Sequence, residues 1–330
     1  MGDKIRFGII GTSKIVETFL KGAEIVDEFE LVGVYSRSLE KAKSFGEKYG
    51  AKLYFDKLED FAASNEIDAV YIASPNAMHA KQAILCLNNK HVLCEKAFAS
   101  NAREVKSIID AAKKNNVVVM EAMRLTCLPN FKAVKENLHK IGKVRRYFGS
   151  FCQYSSRYDK FKEGTILNAF KNELSNGSLM DIGVYCIYPM VSLFGKPNNV
   201  VSNSYMLHTN VDGEGSAIFS YDDMDGVIQY SKISNSYLPS EIQGEKGSII
   251  IYPHNKFKNI KIVYKDLSEE DITLNQEEDD MCYEISEFIK TIKSNSIESE
   301  VNNHNNSIVV MELMDEIRKQ AGLKYPADEN

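Results

Sequence analysis

The segment Gly8-Ile9-Ile10-Gly11-Thr12-Ser13-Lys14-Ile15-Val16 puts glycine where an apolar run gives way to a helix-period segment. Glycine at such a junction lets backbone approach a pyrophosphate closely while a helix N-terminus faces its charge. Only the first glycine of a GxGxxG pattern is kept, as Gly11-x-Ser13-x-x-Val16, so the residues also read as an ordinary tight strand-to-helix turn. Ser13 adds a Cβ where room is short and a hydroxyl able to donate to a phosphate. On the dinucleotide reading Gly11, Thr12, Ser13, Lys14 and Ile15 contact the cofactor. Ser36-Arg37 ends the second apolar run, where an acid would bind the ribose of NAD and an arginine accommodates the 2′-phosphate of NADP. Lys41 and Lys43 add positive charge nearby. Arg37 could instead stack on adenine or stand in solvent at the head of the next helix. Further on, Ser74-Pro75-Asn76 with His79, and Glu95-Lys96, each follow an apolar run, the place where open parallel sheets bind ligands. Glu95-Lys96 reads either as a local ion pair or as a lysine that polarises an oxygen and favours an alkoxide.

These residues need a parallel sheet to hold them, and the first 122 residues supply its pattern. Apolar runs at residues 5–10, 31–35, 69–72, 91–94 and 117–120 alternate with amphipathic stretches at 15–25, 39–49, 77–87 and 102–115, which reads as βαβ units and a doubly wound parallel Rossmann sheet. Asn101 with Glu104 three residues on marks an N-cap. Beyond Glu121 one helix is expected over 128–141. Strands with period-two alternation then follow at 145–154, 200–208, 216–221, 226–231 and 248–252, interrupted by a helix over 181–194. That pattern predicts an α+β domain with a large, mostly antiparallel open sheet. Two helices, 279–294 and about 305–321, close the chain. The expected division is 1–122 for nucleotide binding and 123–330 for substrate binding and dimerisation.

Composition narrows the partners. The 330 residues carry 40 Lys and Arg against 46 Asp and Glu, a net charge of -6, which argues against a nucleic-acid partner. No uninterrupted apolar stretch has membrane-spanning length, and no signal-peptide pattern opens the chain, so a cytoplasmic protein with no membrane partner is expected. Gly2 lacks the downstream residue a myristoylation site needs. The six cysteines and six histidines are scattered, without metal-ligand spacing, so no metal is expected.

The ordered set of the Gly11 turn, Ser36-Arg37, Ser74-Pro75-Asn76 with His79, Glu95-Lys96, Glu121-Ala122-Met123-Arg124 and Asp181-Ile182-Gly183-Val184-Tyr185 resembles the Gfo/Idh/MocA oxidoreductase family. The branch most similar contains dimeric dihydrodiol dehydrogenases and sugar dehydrogenases. The resemblance extends to Ile242-Gln243-Gly244-Glu245-Lys246-Gly247-Ser248 and so spans nearly the whole chain. It implies an NAD(P)-dependent dehydrogenase that moves a hydride between nicotinamide and a secondary alcohol or ketone of a sugar, cyclitol or dihydrodiol, and Arg37 in place of an acid makes NADP the expected preference. The family's catalytic lysine then falls on Lys96, its acid on Asp181 and its acid/base residue on Tyr185. Residues four apart on a helix share a face, so Asp181 and Tyr185 could reach one substrate. The competing reading makes Tyr185 core and Asp181 a helix N-cap. A tyrosine serves as base at neutral pH only with a cation beside it, and Lys96 would be that cation. Glu95 would position Lys96, and Arg124 would line the cofactor or substrate cleft. Two positions depart from the family: Ser13 replaces the second glycine, and Ala97 stands where proline follows the lysine, so that a cis bond there would cost about 2.5–4 kcal/mol. A catalytically degenerate nucleotide- or sugar-binding sensor on the same fold is the second reading. The alternating strands leave one sheet face to be covered, and a C2 homodimer through it is expected.

Overall fold

The apolar runs of the N-terminal third become strands because both of their faces are covered. β1 (Ile5–Ile10), β2 (Phe29–Tyr35), β3 (Leu53–Phe55), β4 (Ala69–Ile72), β5 (His91–Glu95) and β6 (Val119–Ala122) form one parallel sheet in the order β3-β2-β1-β4-β5-β6. The computed structural model describes residues 4–329, so Gly2 lies outside the described residues. All of β4 is buried, as are Val92, Leu93 and Cys94 of β5, the mark of strands with helices on both sides. Helix Lys14–Ala23 turns Val16, Phe19, Leu20 and Ala23 inward, and Phe19 stacks on Tyr71 of β4 with ring centroids 3.7 Å apart.

Helix Cys282–Lys293 joins this same core. Its Ile285, Phe288 and Ile289 are buried with Phe7 and Phe19, and a Cβ on Gly22 would come within 2.8 Å of Cys282 N, so glycine there admits the close approach of the two helices. The chain therefore separates into two compact units, Met1–Arg124 with Glu277–Ser307 and Leu125–Gln276 with Ile308–Asn330. This differs from the single cut expected after residue 122. The amphipathic stripe of helix 282–293 gives no sign of which sheet it covers.

In the second unit β7 (Val144–Cys152), β8 (Asn199–Met206), β9 (Asp212–Ser220), β10 (Asp225–Ser231), β11 (Ser240–Gly244), β12 (Gly247–Tyr252), β13 (Asn259–Tyr264) and β14 (Glu269–Asp271) form a sheet in the order β14-β13-β12-β11-β7-β10-β9-β8. Its pairs are antiparallel except β7 with β10. Register places Val200, Phe219, Gly226, Tyr147, Ile242, Ile249 and Ile262 side by side across seven strands, all buried. Helix Val184–Phe194 lies on this face, where Tyr147 donates its hydroxyl to Cys186 O at 2.9 Å. The adjacent row of Val201, Ile218, Val227, Phe148, Glu241, Ile250 and Lys261 points the other way, with Val201 61% and Ile218 53% exposed.

Local differences have local causes. The helix expected over 128–141 is the helix Pro129–Asn137 followed by a 3-10 turn, and a separate short helix, Arg124–Cys127, precedes it; Pro129 forces Leu128 into extended backbone. β6 starts two residues later than the apolar run because Asn116, at φ 53°, ends the preceding helix and Val117 N bonds back to Ala112 O. The helical stretch Asn172–Phe194 is long and apolar enough to cross a membrane by length and composition, yet 72% of its most apolar window is buried inside the protein.

Candidate active site

In the first unit the candidate residues sit at the carboxyl ends of neighbouring strands. Gly11 has φ +118°, a conformation that L side chains rarely adopt, and a Cβ there would come within 3.0 Å of Ala73 O just past β4. The backbone thus turns tightly between β1 and helix Lys14–Ala23, at the point where the strand order reverses. Ser13 is the helix N-cap residue, but its hydroxyl makes no capping bond. These features suit a pyrophosphate. Ser38, not Arg37, caps the next helix by accepting from Lys41 N, and Arg37 is exposed. Lys41 and Thr12 share a depression of about 400 Å³ with Ser38, Glu40, Ser44, Phe45 and Lys48. Arg37 does not line it. A nucleotide phosphate fits such a surface, which gathers two lysines, a threonine and two serines beside the β1 turn.

The loops after β4 and β5 are tied together by His79. One ring nitrogen faces Ser74 O at 2.8 Å and the other Ala97 O at 3.0 Å, while burial lowers its proton affinity below that of an ordinary histidine. His79 is fully buried between these two carbonyls and braces the loops after β4 and β5. Ser74 donates its hydroxyl to Gln82 at 2.6 Å. Pro75 is the N-cap residue of helix Asn76–Cys86, at whose start Asn76 is 9% exposed. Glu95 is also turned inward, accepting from Tyr71 Oη at 2.6 Å and Lys96 N at 3.2 Å, and burial pushes its carboxyl up. It therefore fixes the backbone of Lys96. Lys96 is half-buried, and its peptide bond to Ala97 is cis. Glu121 of β6 accepts from Phe98 N at 3.2 Å and Ser307 Oγ at 2.7 Å, and burial pushes it up to about 7. Arg124 is paired with Asp280, just before helix Cys282–Lys293.

In the second unit Asp181 and Tyr185 straddle a junction. Leu179–Gly183 is a π-helical turn that leads directly into helix Val184–Phe194, a local irregularity frequent at functional sites. The reading of Asp181 as N-cap is corrected. Asp212 does that work, accepting from Ser178 N at 3.1 Å and Leu179 N at 2.7 Å, and its carboxyl is pushed up to about 6 by burial. Asp181 instead accepts from Lys232 Nζ at 2.5 Å. Tyr185, half-buried, stands edge-on to Phe151 with centroids 5.7 Å apart. Pro189, four residues on, has no N–H for the Tyr185 carbonyl. His254 Nε2 lies 2.9 Å from that oxygen and replaces the missing donor; buried and neutral, the imidazole is pushed down to about 4. Proline at that spacing was the available signal for a freed carbonyl, but nothing in the sequence pointed to Lys232, Asp212 or His254 as its neighbours.

Among the described residues no group of three or more His, Cys, Asp and Glu could hold a metal. Residues 5–123 match the oxidoreductase family, NAD-binding Rossmann fold, and residues 131–250 the GFO/IDH/MocA C-terminal domain. The chain belongs to the Gfo/Idh/MocA oxidoreductase family. It is an NAD(P)-dependent oxidoreductase. Over 326 residues, 98% of this chain and 99% of the other, it is 54% identical to scyllo-inositol 2-dehydrogenase (NADP(+)) IolU of Bacillus subtilis. It is 29% identical to a trans-1,2-dihydrobenzene-1,2-diol dehydrogenase of Xenopus laevis, covering 97% of this chain and 99% of that one. A 3-ketoreductase from Actinomadura kijaniata, solved with NADP and TDP-benzene, shares the fold with a TM-score of 0.86 at 22% identity, covering 97% and 98% of the two chains.

Proposed function

We propose that this family member oxidises a ring hydroxyl of a cyclitol, scyllo-inositol being the first to assay, with NADP as the preferred cofactor. The observation that carries the proposal is the 54% identity, over 98% of the chain, to a scyllo-inositol 2-dehydrogenase (NADP(+)). Arg37 at the end of β2 and Lys41 beside the depression at Thr12 suit a 2′-phosphate.

When bound, the nicotinamide supplies the hydride acceptor. Gly11, Thr12, Ser13, Lys14 and Ile15 would hold the pyrophosphate at the helix N-terminus, with Ser36, Arg37 and Lys41 at the adenosine end. Ser74, Pro75 and Asn76 would line the cofactor, braced by His79. The chain's own chemistry is orientation and proton transfer. Tyr185 Oη takes the hydroxyl proton of the alcohol and returns it in the reverse direction. The Lys96 ammonium would hold the reacting oxygen. Asp181 accepts a hydrogen bond from a neighbouring hydroxyl. Arg124, held by Asp280, would steady the cleft rim.

Lys96→Ala tests these roles: turnover should vanish while NADPH binding stays measurable by fluorescence, and retained turnover would remove Lys96 from the chemistry. The exposed row across the second sheet, led by Val201 and Ile218, supports a C2 homodimer through that face, and a cytoplasmic enzyme accords with its cofactor.

A further inference from the structure

Lys232 lies just beyond β10 and is 2% exposed. A lysine buried this deeply needs a carboxylate partner, because an unpaired charge out of water is costly. Its Nζ donates to Asp181 Oδ2 at 2.5 Å and lies 5.4 Å from the centre of the Phe170 ring. The Asp181 side chain is 40% exposed against 3% for Lys232, so the lysine stands behind the carboxylate and the carboxylate stands towards solvent. Asp212 of β9 lies within electrostatic reach of the same ammonium. The π-helical turn is thus anchored at its start by Asp212, while Lys232 holds the acid in its middle.

We propose that Lys232 is a positioning residue for substrate selection. By binding Oδ2 it fixes the plane of the Asp181 carboxylate and presents the other oxygen as a hydrogen-bond acceptor. Such an acceptor selects a substrate bearing a second hydroxyl beside the reacting carbon. Lys232 itself, enclosed by Phe170 and Asp181, acts only through the acid. The proposal rests on the reading in which Asp181 binds the polyol.

Four variants test it: Lys232→Met, Lys232→Arg, Asp181→Asn and the double change Asp181→Asn with Lys232→Met. Each is assayed with NADP and scyllo-inositol after NADPH binding has shown the protein to be folded. Lys232→Met should raise KM roughly tenfold, the scale of a charge-assisted hydrogen bond, while kcat changes far less. Lys232→Arg should restore most of the KM. The double variant should be no worse than Asp181→Asn alone, because both changes remove one interaction; additive losses, or an unchanged KM in Lys232→Met, would overturn the proposal. Should Lys232→Met not fold, the double variant, which leaves no unpaired charge, and Lys232→Arg still decide it. Carbon NMR of labelled aspartate gives a readout that needs no turnover. The Asp181 midpoint should rise in Lys232→Met. If it rises in an enzyme that turns over no polyol, the substrate reading fails and the role of Lys232 stands. If it does not move, the proposal fails whatever the substrate.

Discussion

Replacing Glu121 with Gln isolates one buried charge. Glu121 is 2% exposed at the end of β6, and its carboxyl is pushed up from 4.5 to about 7, chiefly by burial, against the opposing donors Ser307 Oγ and Phe98 N. A carboxyl raised in the folded state stabilises the fold fully below about pH 4.5. That stabilisation is lost as the pH climbs towards 7, because the folded protein must then ionise a group enclosed by protein. A shift of this size corresponds to roughly 3 kcal/mol between the two ends of the window. Glutamine keeps the shape, can accept from Phe98 N through its oxygen and donate to Ser307 Oγ through its amide, and carries no charge at any pH. Urea or thermal unfolding of both proteins from pH 5 to pH 8 should therefore diverge. Near pH 5 the variant equals the parent or falls about 1 kcal/mol short, the scale of one altered hydrogen bond. By pH 8 it gains on the parent by most of the 3 kcal/mol, or roughly 6–12 °C for a unit of this size. Asp212 and His254, which also titrate abnormally, cancel in the comparison because both proteins contain them. A stability difference that stays constant across this range would refute the claim that Glu121 is held protonated, and with it the account of how the loop from Lys96 to Phe98 is braced.

Arg37→Ala should raise KM for NADP about 10- to 100-fold, the loss of a charge-assisted bond of about 1.5–3 kcal/mol to phosphate, while KM for NAD changes little; equal losses for both cofactors would remove Arg37 from 2′-phosphate recognition. Light scattering of the 37.2 kDa chain should give twice its mass, and Ile218→Asp, by placing a carboxylate within the exposed row, should shift it towards monomer. A monomeric parent would leave that row without its proposed cover.

The parallel sheet was legible because each of its longer strands carries an apolar run, and those runs alternate with helix-period stretches. β3 and the helix Leu58–Ala63 were not, since three and six residues are too short to show a period. β11, β13 and β14 escaped for a related reason: Glu241 and Gln243 face out between Ile242 and Gly244, Lys261 interrupts Ile260 and Ile262, and β14 is wholly acidic. In the candidate site, the family resemblance pointed to Lys96, Asp181 and Tyr185, but the side chains that hold Asp181 and Tyr185 come from elsewhere in the chain. Lys232 follows Asp181 by 51 positions and His254 follows Tyr185 by 69, separations that no local pattern spans. His79 and Glu95 are a different case. Their place beside the loops was legible, but their inward direction was not, because a strand end can turn a polar side chain either way until its partners are known.

The central claim is hydride transfer from a cyclitol, and spectrophotometry of the parent enzyme tests it most directly. With NADP and scyllo-inositol the reduced-nicotinamide absorbance should grow steadily, saturate with both reactants and disappear in Tyr185→Phe. Tight NADPH binding with no absorbance change across a panel of inositols, aldoses and dihydrodiols would contradict the account and leave a ligand sensor on an oxidoreductase fold.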